Sequence, residues 1–348
     1  AAGGTLSAAS LSTSAGTTFS NGGATSTTGA VTNAGTLNNT AGALTVGGTL
    51  TNSTGGAVNL GGGTLSTGTG LANAGTLAQT GGILLGGALA NTGTVNANGG
   101  VMNVALGNDG IFTVGGAVTG NGTFTNNAAG TLAVTATGNL SGLSAISNAG
   151  TVTTAAGGTL SSGSYTQTAG TTNNAGSLTA TGAMAINGGT LTMTGTVSAA
   201  TLSNAATVDV NGGAVNAAVT NTGTFNVGGT VTANNTFTNN TGGTLAVGAA
   251  GNLGGVTTLT NAGGTVTTSA GGSLSSTSFT QTAGTTTNAG TLSATGAMAI
   301  NGGTLTSTGT VSAATLSNVG TINANGGAVS AAVTNTGCLL YTSPSPRD

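Results

Sequence analysis

The sequence has almost no charged side chains, and this scarcity excludes several classes of function. Only 1% of its 348 residues are charged, whereas a soluble domain carries about 25%. Lys, Glu, His and Trp do not occur, and Arg347 is the one basic residue. A chain with one Arg cannot neutralise a run of phosphates. We therefore expect no nucleic-acid partner, and recognition that depends on shape, hydrogen bonds and apolar contacts.

The same scarcity removes the usual catalytic and metal-binding groups. Ser and Thr are abundant, but the sequence offers no His or Lys to activate them as nucleophiles. Asp109 and Asp209 correspond to Thr222 and Asn323 in the next sequence repeat, so no paired acid and base is supported. Zinc sites need His and Cys, and calcium-binding nonapeptides need regular Asp. We expect no enzyme activity, no catalytic residue, no cofactor and no metal site.

Cysteine and long apolar runs are also scarce. Cys338 is alone and cannot form an internal disulfide. The longest nearly apolar stretch, residues 81–90, is too short to span a bilayer as a helix, so we expect no membrane insertion by this segment. No leader precedes AAGGTLSA, which indicates an interior piece of a longer protein. Residues 338–348 (CLLYTSPSPRD) resemble sequencing-adapter read-through, and we expect a non-native or disordered tail there.

What the sequence does contain is glycine, at 69 positions, and a long internal repeat. The heptapeptide SYTQTAG recurs as SFTQTAG, and GAMAINGG recurs unchanged. The first pair begins at residues 164 and 278 and the second at residues 182 and 296, which gives a period of 114 residues. We therefore predict that residues 1–337 form one continuous domain of internal repeats.

An earlier copy of the repeat is offset by 113 residues, since Phe112 corresponds to Phe225. The extra residue of the later copy falls at a glycine turn, where an insertion leaves the strand register intact. Tyr165 becomes Phe279 in the next copy, an exchange that we attribute to packing of the ring.

Between the glycines, apolar and small polar residues alternate, as around Leu132 and Val134. This period of two is typical of half-buried strands. Short strands, glycine turns and a spacing near 20 residues predict a chain wound into coils, whose inward side chains join into one core. We predict an all-β fold, a parallel β-helix (β-solenoid), with about 17 coils of roughly 20 residues and a length of about 80 Å. The competing interpretation is an unfolded low-complexity chain.

Asparagine recurs at the turns in the motif Asn-x-Gly-Thr followed by an apolar residue. Because these residues occupy equivalent points of the repeat, we predict that they stack as amide ladders between coils. The alternative is a row that faces a ligand. The candidates are Asn33, Asn73, Asn91, Asn148, Asn221, Asn288 and Asn318.

Leu-Thr-Asn strands, as at 50–52, followed by Asn-x-Gly-Thr-Leu turns and Gly-Gly-bounded segments resemble the passenger repeats of autotransporter and filamentous-haemagglutinin-like bacterial adhesins. The resemblance covers residues 1–337. It implies a right-handed β-helix, extracellular or displayed on the bacterial outer surface after type V export. It also implies a structural or adhesive role in biofilm or attachment, with a host-cell, matrix or glycan surface as partner.

Two alternative functions remain open from the sequence. The first is an ice-binding β-solenoid with a Thr-rich face. The Thr-x-Thr motifs at 151–153 and 190–194 do not recur at a fixed coil position, which counts against this alternative. The second is a self-assembling extracellular fibre, because solenoid ends are exposed sheet edges and the sequence lacks charged residues to block them.

Overall fold

The computed structural model describes residues 3–342, which form strands and turns and contain no helix. Two compact units are present: unit 1 ends at Thr181 and unit 2 begins at Gly182. The strands within each unit pair in parallel. The predicted all-β solenoid is confirmed, with about 18 turns where the sequence predicted 17.

Unit 1 consists of 24 strands, nearly all of them short. They are β1 Thr5–Ala8, β2 Leu11–Thr13, β3 Thr18–Asn21, β4 Ala24–Thr27, β5 Val31–Asn33, β6 Thr36–Asn39, β7 Ala43–Val46, β8 Thr49–Asn52, β9 Ala57–Leu60, β10 Thr64–Thr67, β11 Gly70–Asn73, β12 Thr76–Gln79, β13 Ile83–Gly86, β14 Leu89–Asn91, β15 Thr94–Asn103, β16 Leu106–Asn108, β17 Ile111–Gly120, β18 Thr123–Asn126, β19 Thr131–Val134, β20 Asn139–Asn148, β21 Thr151–Thr154, β22 Thr159–Gln167, β23 Thr171–Asn174 and β24 Ser177–Ala180.

Unit 2 has the remaining described strands, several of which are longer because neighbouring strands run on through a corner. They are β25 Ala183–Ile186, β26 Thr190–Met193, β27 Thr196–Asn204, β28 Thr207–Val210, β29 Gly213–Asn221, β30 Thr224–Val227, β31 Thr230–Ala233, β32 Phe237–Asn240, β33 Thr244–Val247, β34 Asn252–Thr268, β35 Ser273–Asn288, β36 Thr291–Ile300, β37 Thr304–Ser307, β38 Thr310–Asn318, β39 Thr321–Asn325, β40 Ala328–Asn335 and β41 Cys338–Thr342.

Each coil contributes three strand segments, and each segment pairs with its counterpart in the next coil. Strands β1, β2 and β3 pair with β4, β5 and β6 respectively, which pair in turn with β7, β8 and β9. We call these three stacks the first, second and third ladders. In unit 2 the two ends of β27 belong to the first and second ladders and pair with β29, while β28 belongs to the third ladder and pairs with β30.

The core lies inside the coils, because alternate residues of each strand point inward. In β6, Leu37 and Asn39 are buried while Thr36 and Asn38 are half-buried. Inward aliphatic and aromatic residues of the third ladder stack through unit 1 in one column, Leu37, Val58, Leu77, Val95, Phe112, Leu132 and Val152. Burying each of these side chains contributes about 1.5–3 kcal/mol.

One pair of aromatic rings is packed edge to face in each unit. The ring centroids of Phe112 and Phe124 are 5.1 Å apart in unit 1, and those of Phe225 and Phe237 are 5.0 Å apart in unit 2. This geometry places the positive edge of one ring on the negative face of the other. The spacing between these pairs in the sequence follows the long repeat.

Corner glycines are required where consecutive coils touch through their backbones. A Cβ atom at Gly75 would lie 2.2 Å from the carbonyl oxygen of Gly56, which is the corner glycine of the preceding coil. Backbone atoms at a stacked corner cannot move away independently, so a larger residue there would force the two coils apart. The glycine of the Asn-x-Gly-Thr motif therefore allows the coils to stack closely.

Parallel pairing extends beyond residue 337, where the sequence placed the end of the solenoid. Strand β41 pairs with β39 from Thr321↔Cys338 to Asn325↔Thr342. An open strand edge offers backbone donors and acceptors to any extended segment that follows, whatever its side chains. Residues 343–348 of the tail lie outside the described residues.

Candidate functional site

The last residue of nearly every second-ladder strand in unit 1 is an inward-pointing asparagine. Asn33, Asn52 and Asn73 stand opposite one another in the strand register. Each of the seven asparagines is at most 1% exposed. They are Asn33, Asn52, Asn73, Asn91, Asn108, Asn126 and Asn148. We call this column the asparagine ladder.

Every amide in this ladder except the last, Asn148, donates to the next one in the same direction. The Nδ2–Oδ1 distance is 2.7 Å for the first four links, from Asn33 to Asn108, and then 2.8 Å and 2.9 Å on to Asn148. The Thr13 hydroxyl donates to Asn33 Oδ1 at the start of the ladder. Aligned amides polarise one another, so the links strengthen one another in the buried interior.

The second N–H of each amide donates to a backbone carbonyl oxygen at the adjacent corner of the coil. Asn52 Nδ2 also donates to the Thr76 carbonyl oxygen at 3.0 Å, and Asn73 Nδ2 donates to the Thr94 carbonyl oxygen at 3.0 Å. Each acceptor is the first residue of a third-ladder strand. Because an unpaired buried amide would be costly, this double use explains why asparagine is tolerated in an otherwise apolar interior.

Unit 2 contains two shorter stretches of the same arrangement. Asn204, Asn221, Asn239 and Asn261 are linked in order at 2.7, 2.8 and 3.3 Å. Asn318 donates to Asn335 at 2.7 Å. Ile300 stands opposite Asn318 in the register and cannot donate, so Asn318 Oδ1 has no hydrogen-bond partner among the described residues. An apolar residue therefore interrupts the ladder without disturbing the strand pairing.

The structure places the asparagines chosen from the motif at two different corners. Those at the end of a second-ladder strand are Asn33, Asn73, Asn91, Asn148, Asn221 and Asn318. Asn288 ends a third-ladder segment instead, opposite Ser307. Its Nδ2 donates to Ser307 Oγ at 3.1 Å and to the Thr310 carbonyl oxygen at 2.9 Å. Both corners turn through a glycine, so the motif does not distinguish them.

Sequence reasoning missed seven members of the column. They are Asn52, Asn108, Asn126, Asn204, Asn239, Asn261 and Asn335. In most of them the glycine is displaced or the Thr is replaced, because the corner that follows differs in length or sequence. A search for an asparagine that ends an alternating segment and precedes a glycine within a few residues finds six of the seven. Asn204, followed by Ala-Ala-Thr, carries no such signal.

Glutamine replaces asparagine in two coils, and each replacement is matched by a core threonine. The Thr286 hydroxyl donates to Gln281 Oε1 at 2.5 Å, and Gln281 Nε2 donates to the Gly302 carbonyl oxygen at 3.1 Å. In the earlier copy the Thr172 hydroxyl donates to Gln167 Oε1 at 2.6 Å. Both threonines stand in the inward column otherwise held by aliphatic and aromatic residues.

Tyr165 adds a hydroxyl to this polar cluster in unit 1. Its hydroxyl lies 2.5 Å from Thr172 Oγ1. Burial raises the pKa of Tyr165 well above its ordinary value, against the lowering effect of its hydrogen bonds. From the sequence we attribute the Tyr165-to-Phe279 exchange to packing of the ring. In the structure Tyr165 also makes a buried hydrogen bond, which Phe279 cannot make.

The two carboxylates of the repeats are tied to neighbouring amides on the outer surface. Asn127 Nδ2 donates to Asp109 Oδ2 at 2.8 Å in unit 1, and Asn226 Nδ2 donates to Asp209 Oδ1 at 2.7 Å in unit 2. Residues 3–342 contain no cluster of three or more His, Cys, Asp or Glu side chains that could hold a metal ion. Nor does that range include a helix with the length and hydropathy needed to cross a membrane.

The first residue of each third-ladder strand points outward, and in most coils it is threonine. We call these residues the threonine row. In unit 2 the row is uninterrupted over eight coils, Thr190, Thr207, Thr224, Thr244, Thr265, Thr285, Thr304 and Thr321. In unit 1, Thr151 stands in the row between Thr131 and Thr171.

The expectation that the motifs at Thr151 and Thr190 lack a fixed coil position is therefore wrong. Each is the first residue of a third-ladder strand in its own unit. Successive asparagines of the ladder are 17 residues apart at Asn91–Asn108 and 22 apart at Asn126–Asn148. Because the turns absorb this variation, a constant structural position has an irregular spacing in the sequence.

Comparison with protein families, curated proteins and solved structures gives no match to the chain. The fold and the asparagine ladder define a class, a parallel β-solenoid with an internal amide ladder. The resemblance to adhesin passengers rests on the sequence motifs and on the stacked repeats.

Proposed function

We propose that the chain is a non-catalytic structural and adhesive rod, secreted or displayed on a bacterial surface. The observation that carries this proposal is the asparagine ladder. Hydrogen-bonded amides link consecutive coils through the interior, in addition to the backbone pairing of three strand ladders. A solenoid stabilised in this way resists unravelling without disulfides, which suits a protein that works as an extended support outside the cell.

The outer surface supports the adhesive part of the proposal. Its outward residues are mainly Thr, Ser, Asn and Ala, and each coil presents a similar set. Many equivalent weak contacts along one support give a strong total attachment when they engage together. Because the surface is nearly uncharged, we propose a partner recognised by hydrogen bonds and shape, such as a host-cell, matrix or glycan surface.

Display on a non-adherent bacterial host tests the adhesive role. The full chain is exported to the cell surface, and cell retention under flow is measured on surfaces coated with glycans, matrix proteins or host cells. We expect retention above that of the empty host on at least one coating, and lower retention for Asn73→Ala, which breaks the ladder. Asn96→Ala changes an outward asparagine and is the matched control. Retention equal to that of the empty host on every coating would contradict the proposal.

The complete reading frame tests the location independently. A secretion signal together with an outer-membrane translocation partner is expected in the gene or beside it. A complete gene with neither would remove the proposal of surface display.

A further inference from the structure

Within the threonine row of unit 2, three consecutive coils present two threonines each. Thr265, Thr285 and Thr304 stand opposite one another, and so do the residues two positions on. Coils are separated by about 4.8 Å, and residues two apart on a strand by about 6.7 Å. The result is a two-by-three array, which we call the threonine lattice. It consists of Thr265, Thr267, Thr285, Thr287, Thr304 and Thr306.

The hydroxyl groups of the lattice are available to a ligand. Thr285 and Thr287 are exposed, and the other four are half-buried between their neighbours. None of the six hydroxyls is engaged in a hydrogen bond within the part of the chain that the structure describes. Threonine is β-branched, so each hydroxyl and methyl group has few positions open to it. The array therefore loses little side-chain freedom when something binds.

The charge and shape of the face restrict what can bind to it. The strand segments 265–268, 285–288 and 304–307 present no charged or aromatic side chain. A charged partner would find no opposite charge there, and a small molecule would find no concave pocket of the usual kind. A neutral, extended and periodic surface with its own hydrogen-bonding groups complements this face.

We propose that the threonine lattice binds ice. The hydroxyls would hold water oxygens at repeated positions, while the methyl groups between them order the intervening water. Water arranged in this way can merge with the surface of an ice crystal. This inference depends on the side-chain geometry of unit 2 and not on the proposed adhesive function, so either can fail alone.

Ice-crystal growth in the presence of the full chain tests the inference. At micromolar protein we expect faceted crystals and a gap between the melting and freezing temperatures. Thr285→Lys should abolish both effects, because a long charged side chain at the central coil displaces the ordered water. Thr280→Lys is the matched control, since Thr280 points outward on the second ladder, away from the lattice. Circular dichroism is recorded for both variants, and we expect both to remain folded.

Two results would overturn the inference. One is unchanged ice growth with the folded wild-type chain at the highest soluble concentration. The other is an equal loss of activity in Thr280→Lys and Thr285→Lys, which would place any ice contact outside the lattice. Thr285→Val gives a second measurement that does not add charge: it keeps the shape and removes the hydroxyl, and we expect it to reduce the temperature gap.

Discussion

Replacing one asparagine of the ladder should destabilise the protein far more than replacing an outward asparagine. Asn73 is 1% exposed. It accepts from Asn52 Nδ2 at 2.7 Å and donates to Asn91 Oδ1 at 2.7 Å. The change Asn73→Ala removes both links and also the bond to the Thr94 carbonyl oxygen. It leaves the strand pairing and the aliphatic columns in place.

The loss of stability depends on which hydrogen bonds each neighbouring asparagine keeps. Asn91 Oδ1 loses its donor and becomes a buried unpaired acceptor, which costs about 1–3 kcal/mol. Asn52 Nδ2 keeps the Thr76 carbonyl oxygen, so the loss there is that of one ordinary hydrogen bond, about 0.5–1.5 kcal/mol. Together these effects lower the free energy of unfolding by about 1.5–4.5 kcal/mol.

Equilibrium unfolding of the full chain in urea, followed by circular dichroism, measures this loss. The midpoint should fall at an unchanged slope, since the buried surface is nearly the same. Asn96→Ala is the control, because Asn96 is half-buried on the outside of the third ladder, and its effect should stay within about 0.5 kcal/mol. If the two variants unfold at the same midpoint, the ladder does not stabilise the fold and the reasoning is refuted.

Three further predictions concern corners, the glutamine coil and pH. Gly75→Ala should lower the free energy of unfolding by about 1–3 kcal/mol, because its Cβ would lie 2.2 Å from a backbone oxygen. Gly107→Ala, whose Cβ has no neighbour closer than 3.9 Å, should be tolerated. Urea midpoints that fall equally in the two variants would contradict this prediction. Gln281→Met and Thr286→Val should each lower the free energy of unfolding by about 1–3 kcal/mol. The double variant should lose less than their sum, because it leaves neither member of the pair unpaired. Additive losses in a double-mutant cycle would argue against the pair. Burial raises the pKa of Tyr165 in the folded state, so its contribution is full below the ordinary tyrosine pKa of about 10 and falls above it by up to about 1.4 kcal/mol per pH unit. Tyr165→Phe should remove that fall in unfolding curves recorded across alkaline pH, and an unchanged fall would show that another group causes it.

Most of the fold could be predicted from the sequence because strand alternation is a local signal. Leu132 and Val134 alternate with small residues, and both lie in the core. The ladder was partly predictable, since six motif asparagines end second-ladder strands. Asn288 lies at the other corner. The motif could not show this, because a glycine is needed at both corners where coils touch and the motif therefore occurs at both.

Features that depend on register could not be predicted in the same way. The threonine row became visible only when the strand pairing placed Thr190, Thr207 and their successors opposite one another. Gln281 stands where most coils have Asn, and Thr286 stands where most coils have an aliphatic residue. In the sequence these look like two unrelated substitutions. Pairing across the coil interior explains both, because the longer amide reaches the core hydroxyl.

Distances between spin labels on the threonine row test the stacked coils most directly. In a Cys338→Ser background, labels are attached after Thr18→Cys with either Thr94→Cys or Thr151→Cys. Thr94 follows Thr18 by four coils and Thr151 by seven. Pulsed electron paramagnetic resonance should give narrow distributions near 19 Å and 34 Å respectively, about 4.8 Å for each coil. Broad distributions, or two distances that do not differ by about three coil spacings, would contradict the parallel β-solenoid on which the proposed functions depend.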